Sequence, residues 1–145
     1  MDMHEKYMRE ALREAQHAFD KGEVPVGAVV VQGGRIIARA HNLAETLNDA
    51  TAHAEMQAIT AAANFIGGKY LTDSTLYITV EMCPMCAGAC FWAQVGEVVY
   101  GAPDLKRGYS LLSENLLHPK TKVTRGVLAQ ECGGLMTEFF RRKRF

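Results

Sequence analysis

Two short segments of this sequence hold side chains whose types and spacing fit a catalytic metal. One is Thr51-Ala52-His53-Ala54-Glu55, the other Cys83-Pro84-Met85-Cys86. Two thiolates and one imidazole are a common zinc set, and three protein ligands leave the fourth tetrahedral position for water, as catalytic zinc requires. Two cysteines three apart at the start of a helix face one point in space. Backbone N–H groups and the helix dipole stabilise thiolates there. Zinc with two thiolates and a neutral imidazole sums to about zero charge, so it acidifies its water less than zinc held by imidazoles alone. A base is then needed beside the water, and Glu55 is the candidate. Each signal has an ordinary reading in isolation: Cys-x-x-Cys also serves redox pairs and structural zinc, and a single His is more often a satisfied core or surface residue. His-x-Glu, then a strand, then Cys-x-x-Cys at a helix start is much more specific.

Cys90 is the internal rival. It follows Cys86 by one helical turn and shares its face, so a His53/Cys83/Cys86/Cys90 set would close the site and make it structural. That set gives Glu55 no role and asks Cys90 to reach the metal from about a turn further along the axis. Otherwise Cys90 and Cys132 read as small buried apolar residues.

The elements that must position these groups follow from pattern. Residues 2–20 carry Met8, Leu12, Ala15 and Phe19 at near-helical spacing, with Gly22 just beyond. Val26–Val31 and Arg35–Ala40 flank Gly33-Gly34 and read as a β-hairpin. Asn42–Thr51 is polar and loop-like. Ala52–Phe65 is Ala-rich and helical, stopped by Gly67-Gly68. Thr75–Val80 is a short strand, Pro84–Gln94 a helix with Pro in its first turn, and Glu97–Tyr100 a buried strand. Lys122–Thr124 is a candidate last strand, and a final helix runs from about Gly126. Strands alternating with helices predict an α/β fold, a central sheet covered by helices.

At 145 residues, with 48% hydrophobic and 22% charged side chains, the chain is the size of one domain, expected to span residues 1–145. No apolar run is long enough to span a bilayer, so no membrane partner is expected. The charged, amphipathic N-terminus does not read as a secretory signal, which places the chain in the cytoplasm. Three of the four cysteines fall in one short segment, which in such a chain points to metal or catalysis and not to disulfides. The formal net charge is zero, which argues against a wholly nucleic-acid-binding surface. Arg141-Arg142-Lys143-Arg144 form a local basic cluster. It reads equally as a solvated helix end or as a phosphate contact.

His53-Ala54-Glu55 followed by Cys83-Pro84-Met85-Cys86 resembles the cytidine deaminase-like zinc deaminases. The resemblance extends through Pro25-Val26-Gly27-Ala28-Val29, Ala87-Gly88-Ala89, Val98-Val99-Tyr100-Gly101-Ala102 and Phe139-Phe140-Arg141. Within them the chain is most similar to bacterial enzymes that convert the wobble adenosine of a tRNA to inosine. The resemblance implies a three-layer α/β/α fold with a five-stranded mixed sheet, one Zn²⁺ per subunit, a homodimer, and the tRNA anticodon stem-loop as partner. It implies metal ligation by His53, Cys83 and Cys86 and proton transfer by Glu55 during attack of water on C6 of adenine. Substrate contacts are expected at Val26, Asn42, Ala54, Asp104 and Lys106, with Asn42 on the flipped nucleoside and Asp104 and Lys106 on an RNA-facing loop. Ordinary readings also exist: Asn42 as a turn cap, Asp104 and Lys106 as solvated loop charges.

The chain departs from the family pattern twice. Met82 stands where a Pro normally precedes the first cysteine, which removes a fixed φ angle and predicts a somewhat looser site. The run Arg107-Gly108-Tyr109-Ser110-Leu111-Leu112 replaces a stretch of small residues. Two alternative functions stay open at this level: a deaminase of free guanine, cytosine or adenine with the same zinc chemistry, and a catalytically silent zinc module that binds RNA or a partner subunit.

Overall fold

The computed structural model describes residues 2–143. Arg144 and Phe145, the end of the expected basic tail, lie outside the described residues. The elements are α1 (Met3–Asp20), β1 (Gly27–Gln32), β2 (Arg35–His41), α2 (Ala54–Ile66), β3 (Thr75–Val80), α3 (Pro84–Ala93), β4 (Glu97–Ala102), two 3₁₀ turns (Tyr109–Leu111 and Glu114–Leu116), β5 (Lys122–Thr124) and α4 (Ala129–Arg142). The sheet has five strands in the order β2-β1-β3-β4-β5. β1 runs antiparallel to both β2 and β3, while β3, β4 and β5 are parallel, so the sheet is mixed as expected.

Strand side chains alternate faces, and here both faces are covered. On one side Ala28, Val30, Leu76, Ile78, Val98 and Tyr100 meet α2 through Ala54, Ala58 and Ala62 and α3 through Cys86, Ala87, Cys90 and Ala93. On the other, Val29, Val31, Tyr77 and Val99 meet Tyr7, Met8 and Ala11 of α1 and Cys132 of α4. The unbroken Val29-Val30-Val31 run is the signature of a strand buried on both faces. Three layers, α/β/α, result.

Local chemistry sets the element ends. The Asp2 carboxylate accepts the Glu5 N–H at 2.9 Å and caps α1. Gly33 and Gly34, at φ 60° and 74°, make the hairpin turn. The buried stripe of α1 is Tyr7, Met8, Ala11, Ala15 and Ala18, with Leu12 and Phe19 at its margin rather than at its centre. β4 runs to Ala102, beyond the expected Tyr100, because its pairing with β3 extends from Thr75–Glu97 to Val80–Ala102. α4 starts at Ala129, later than Gly126, because Leu128 takes a left-handed φ of 54° just before it.

Two features fix how closely the layers approach. A Cβ at Gly27 would lie 2.1 Å from the Ala11 carbonyl oxygen and 2.3 Å from the Ala15 nitrogen, so the backbone of α1 rests directly on β1. After α1, the fully buried Glu23 accepts the Glu45 N–H at 3.1 Å, the Thr46 N–H at 2.6 Å and the Thr46 hydroxyl at 2.7 Å. Burial alone would raise the Glu23 pKa; these hydrogen bonds outweigh it and hold the group below the usual carboxylate range.

Gly27→Ala is expected to lower stability by about 3 kcal/mol or more, read by urea denaturation, because two backbones must separate to admit the methyl group. Glu23 has a folded-state pKa below its unfolded value. Its contribution is therefore complete above the unfolded value and is lost as pH falls through the folded one. Glu23→Gln is expected to flatten the acid limb of a stability–pH curve and to destabilise by about 1–3 kcal/mol at pH 7 by leaving buried N–H groups poorly paired.

Candidate active site

Because β2 and β3 are each antiparallel to β1, the strands β2, β3 and β4 all point the same way. Their C-terminal ends and the start of β1 therefore share one end of the sheet. The chain leaving β2 passes Asn42 and reaches α2 at His53, the chain leaving β3 reaches α3 at Cys83, and the chain leaving β4 gives Asp104. Ligand sites in open α/β sheets form at such strand ends.

His53 and Cys83 occupy equivalent places, each the extended residue just before a helix, at φ −71°, ψ 155° and φ −74°, ψ 168°. Neither side chain caps its own helix. The first turns of both helices point their N–H groups toward the space between them, where they favour negative charge, as the Met85 and Cys86 N–H groups do at the Cys83 sulfur. The His53 Nδ1 lies 3.6 Å from Cys83 Sγ and 3.5 Å from Cys86 Sγ. These three residues form a group whose ligand atoms lie within 4.8 Å of one another. Pro84 opens α3, where its missing N–H costs nothing and its φ suits the helix.

Cys90 stands apart. Its thiol is fully buried and directed at the Met82 sulfur, 3.7 Å away. It does not belong to the group formed by His53, Cys83 and Cys86, and burial raises its pKa above the ordinary thiol range. Met82, expected to loosen the site, is itself fully buried, and its carbonyl accepts the Tyr109 N–H at 2.9 Å. Side-chain packing and a main-chain bond hold the turn where proline is missing.

The cysteine pair is asymmetric. The Cys86 thiol hydrogen bond, the Cys86 and Met85 N–H groups and nearby His53 bring Cys83 down to about 5 against the opposing effect of burial. Cys86 is pushed up by its bond to Cys83 and by its own burial. Glu55, only 4% exposed, is pushed up to about 7, chiefly by burial. A carboxyl group in that range both takes up and gives back a proton at neutral pH.

A cavity of about 190 Å³ opens on these groups. Val26, Asn42, Ala54 and Asp104 line it with His53, Glu55 and Cys83. Asn42 is held by its N–H to the Val26 carbonyl at 3.1 Å, and its side-chain oxygen accepts the Ala44 N–H at 3.2 Å. Asp104 accepts the Lys106 and Arg107 N–H groups, each at 3.0 Å, so it caps its own loop while facing the cavity. Lys106 does not line this cavity. It lines a neighbouring groove of about 1090 Å³ with Asp104, Arg107, Phe140, Arg141 and Lys143. Sequence reasoning missed Arg107, Met136 and Glu81 as cavity-lining residues. Nothing in their local pattern marks them; the loops after β3 and β4 and the packing of α4 bring them in.

The chain is 50% identical over 149 residues to a tRNA-specific adenosine deaminase of Bacillus subtilis, covering 99% of this chain and 92% of that protein. A chloroplastic tRNA(adenine(34)) deaminase of Arabidopsis thaliana is 45% identical over 94% of this chain, which corresponds to 12% of that much longer protein. A solved structure from work on A-to-I editing by tRNA:A34 deaminases superposes with a TM-score of 0.83 at 38% identity, covering 90% of this chain and 98% of that one. A guanine deaminase of B. subtilis superposes with a TM-score of 0.68 at 31% identity, covering 100% and 96%. With residues 2–144 matching its family description, the chain belongs to the MafB19-like deaminase family.

Proposed function

We propose that this protein hydrolytically deaminates adenosine to inosine at the wobble position of tRNA. The observation that carries this reading is full-length kinship to a tRNA-specific adenosine deaminase in a chain that sets the buried Glu55 beside a His53/Cys83/Cys86 group. Two sulfurs and one imidazole nitrogen with a carboxyl group alongside fit a single catalytic Zn²⁺. When bound by these three side chains, the metal supplies Lewis acidity that makes water nucleophilic at neutral pH.

The chain's own residues do the rest. Glu55 accepts a proton from the attacking water and delivers it to the ring nitrogen beside C6. It then takes the second proton from the new C6 hydroxyl and passes it to the departing amino group as the C6–N bond breaks, so adenosine and water yield inosine and ammonia. The helix starts of α2 and α3 face the site and favour negative charge developing between them. Val26, Asn42, Ala54 and Asp104 form the walls that receive the base. A base enters so small a cavity only when flipped out of its stack, which suits a loop nucleotide.

The adjoining groove supports a macromolecular substrate over a free base. It presents Lys106, Arg107, Arg141 and Lys143 beside the site, although Arg141 is already held by Glu138. Such a groove suits a phosphate backbone despite the neutral overall charge. The likeness to a guanine deaminase supports the second reading, a free-base deaminase. A cytoplasmic place accords with a tRNA substrate, and among the described residues no helix is long and apolar enough to cross a membrane. A homodimer accords with the exposed Phe65, Trp92, Leu111 and Leu112; light scattering should then read twice 16.0 kDa. The whole chain is read as one deaminase domain.

Incubation of zinc-loaded protein with an anticodon stem-loop carrying a wobble adenosine, and separately with adenine, guanine and cytosine, tests the substrate. Inosine from the stem-loop is expected; ammonia from a free base alone would establish the second reading. Glu55→Gln should retain zinc and lose activity by roughly 10³-fold; turnover near the parent rate would remove Glu55 from its role. His53→Ala and Cys83→Ala should lose metal and activity together, whereas Cys90→Ala should keep one zinc per chain, as atomic absorption would record. A Cys90→Ala protein that fails to hold zinc would point to a closed structural site.

A further inference from the structure

Glu81 lies between β3 and Cys83 with its carboxylate buried, 4% exposed, and with no ion-pair partner among the described residues. All its side-chain partners are donors from one loop. Oε1 accepts the Asp104 N–H at 3.2 Å; Oε2 accepts the Ser110 N–H at 3.1 Å and the Ser110 hydroxyl at 2.6 Å. Main-chain bonds run in parallel: the Glu81 N–H donates to the Ala102 carbonyl at 2.8 Å, and the Tyr109 N–H donates to the Met82 carbonyl at 2.9 Å. The loop closes tightly over the carboxylate, because a Cβ at Gly108 would stand 2.5 Å from Glu81 Cδ and Oε1. Two residues therefore tie the 104–110 loop to the turn that carries Cys83.

The loop so held forms one wall of the candidate active site. Asp104 and Arg107 line the cavity with His53, Glu55 and Cys83. Asp104 fixes the Arg107 backbone through the 3.0 Å bond to its N–H, and Glu81 fixes the Asp104 backbone. Among the described residues Arg107 is the only arginine or lysine lining this cavity, and its guanidinium suits a phosphate of the target nucleotide or its neighbour. A wall ordered before binding spares the substrate the entropy of ordering it.

We propose that Glu81 is a positioning residue for the deamination: it holds the Asp104–Arg107 wall in place and so sets how the target nucleotide is seated over Glu55 and the metal ligands. The proposal rests on the deaminase reading. Glu23 does the equivalent on the Asn42 side, through Glu45 and Thr46, but its bonds do not reach the turn that carries a metal ligand.

The test compares the parent protein with Glu81→Gln, Gly108→Ala and Ser110→Ala. Zinc content, amide hydrogen exchange without substrate, and kcat and KM on the anticodon stem-loop are measured. Glu81→Gln turns an NH₂ group toward a donor, so exchange across 104–110 is expected to quicken by about tenfold while α3 stays protected and zinc is retained. KM should rise by about tenfold and kcat move by less than about threefold, since the wall binds and Glu55 does the chemistry. Gly108→Ala should reproduce this pattern, and Ser110→Ala should give a weaker form of it. Unchanged exchange would overturn the anchoring. Faster exchange with unchanged KM, or loss of zinc with kcat falling alone, would overturn the positioning role. A parent protein silent on the stem-loop but active on a free base would sink the tRNA reading alone, and KM and kcat for that base would then decide the proposal.

Discussion

Within 3.6 Å of His53 Nδ1 stand Cys83 Sγ and Cys86 Sγ, and that closeness requires two helices from distant parts of the chain to begin at one place. The sheet meets the requirement through strand direction. Because β2 and β3 point the same way with β1 between them, the chain leaves both at the same end of the sheet before entering α2 and α3. The covered sheet face and the alanine stripe of α2 keep those helices packed on one side of the sheet. Reversing β1 would send the chain leaving β2 and the chain leaving β3 to opposite ends of the sheet.

Around that meeting point the protein places carboxyl groups in contrasting surroundings. Glu55 receives little hydrogen bonding against its desolvation and is pushed up to about 7. Glu23 is also buried, yet hydrogen bonds from the 45–46 backbone and Thr46 outweigh its desolvation and hold it below the ordinary range. Environment, and not residue type, separates the group suited to moving protons from the group that braces a loop.

Most of the architecture was readable from residue pattern, and so was the centre of the site. Element types followed from periodicity and glycine punctuation. The grouping of His53, Cys83 and Cys86 followed from His-x-Glu and Cys-x-x-Cys because both motifs are local in sequence and both sit where helices start. What local pattern leaves out is of another kind. Lys106, expected on an RNA-facing loop, lines the groove beside the cavity and not the cavity itself. Arg107 and Met136 were passed over, although both line the cavity. Met82, standing where the family pattern has proline, packs against Cys90, and its carbonyl accepts the Tyr109 N–H. Each depends on contacts between segments far apart in the chain, which no local pattern records.

The sheet's margins carry a consequence of their own. β5 is only three residues long, Lys122–Thr124, and the opposite margin, β2, bears Arg35 and Arg39. A brief border on one side and exposed arginines on the other, Arg39 paired with Glu10, offer a second chain little to pair with. The strongly apolar inner strands, which in isolation would invite aggregation, are thereby shielded from self-templating growth, and the protein keeps a β-rich interior without the usual hazard of an extendable sheet.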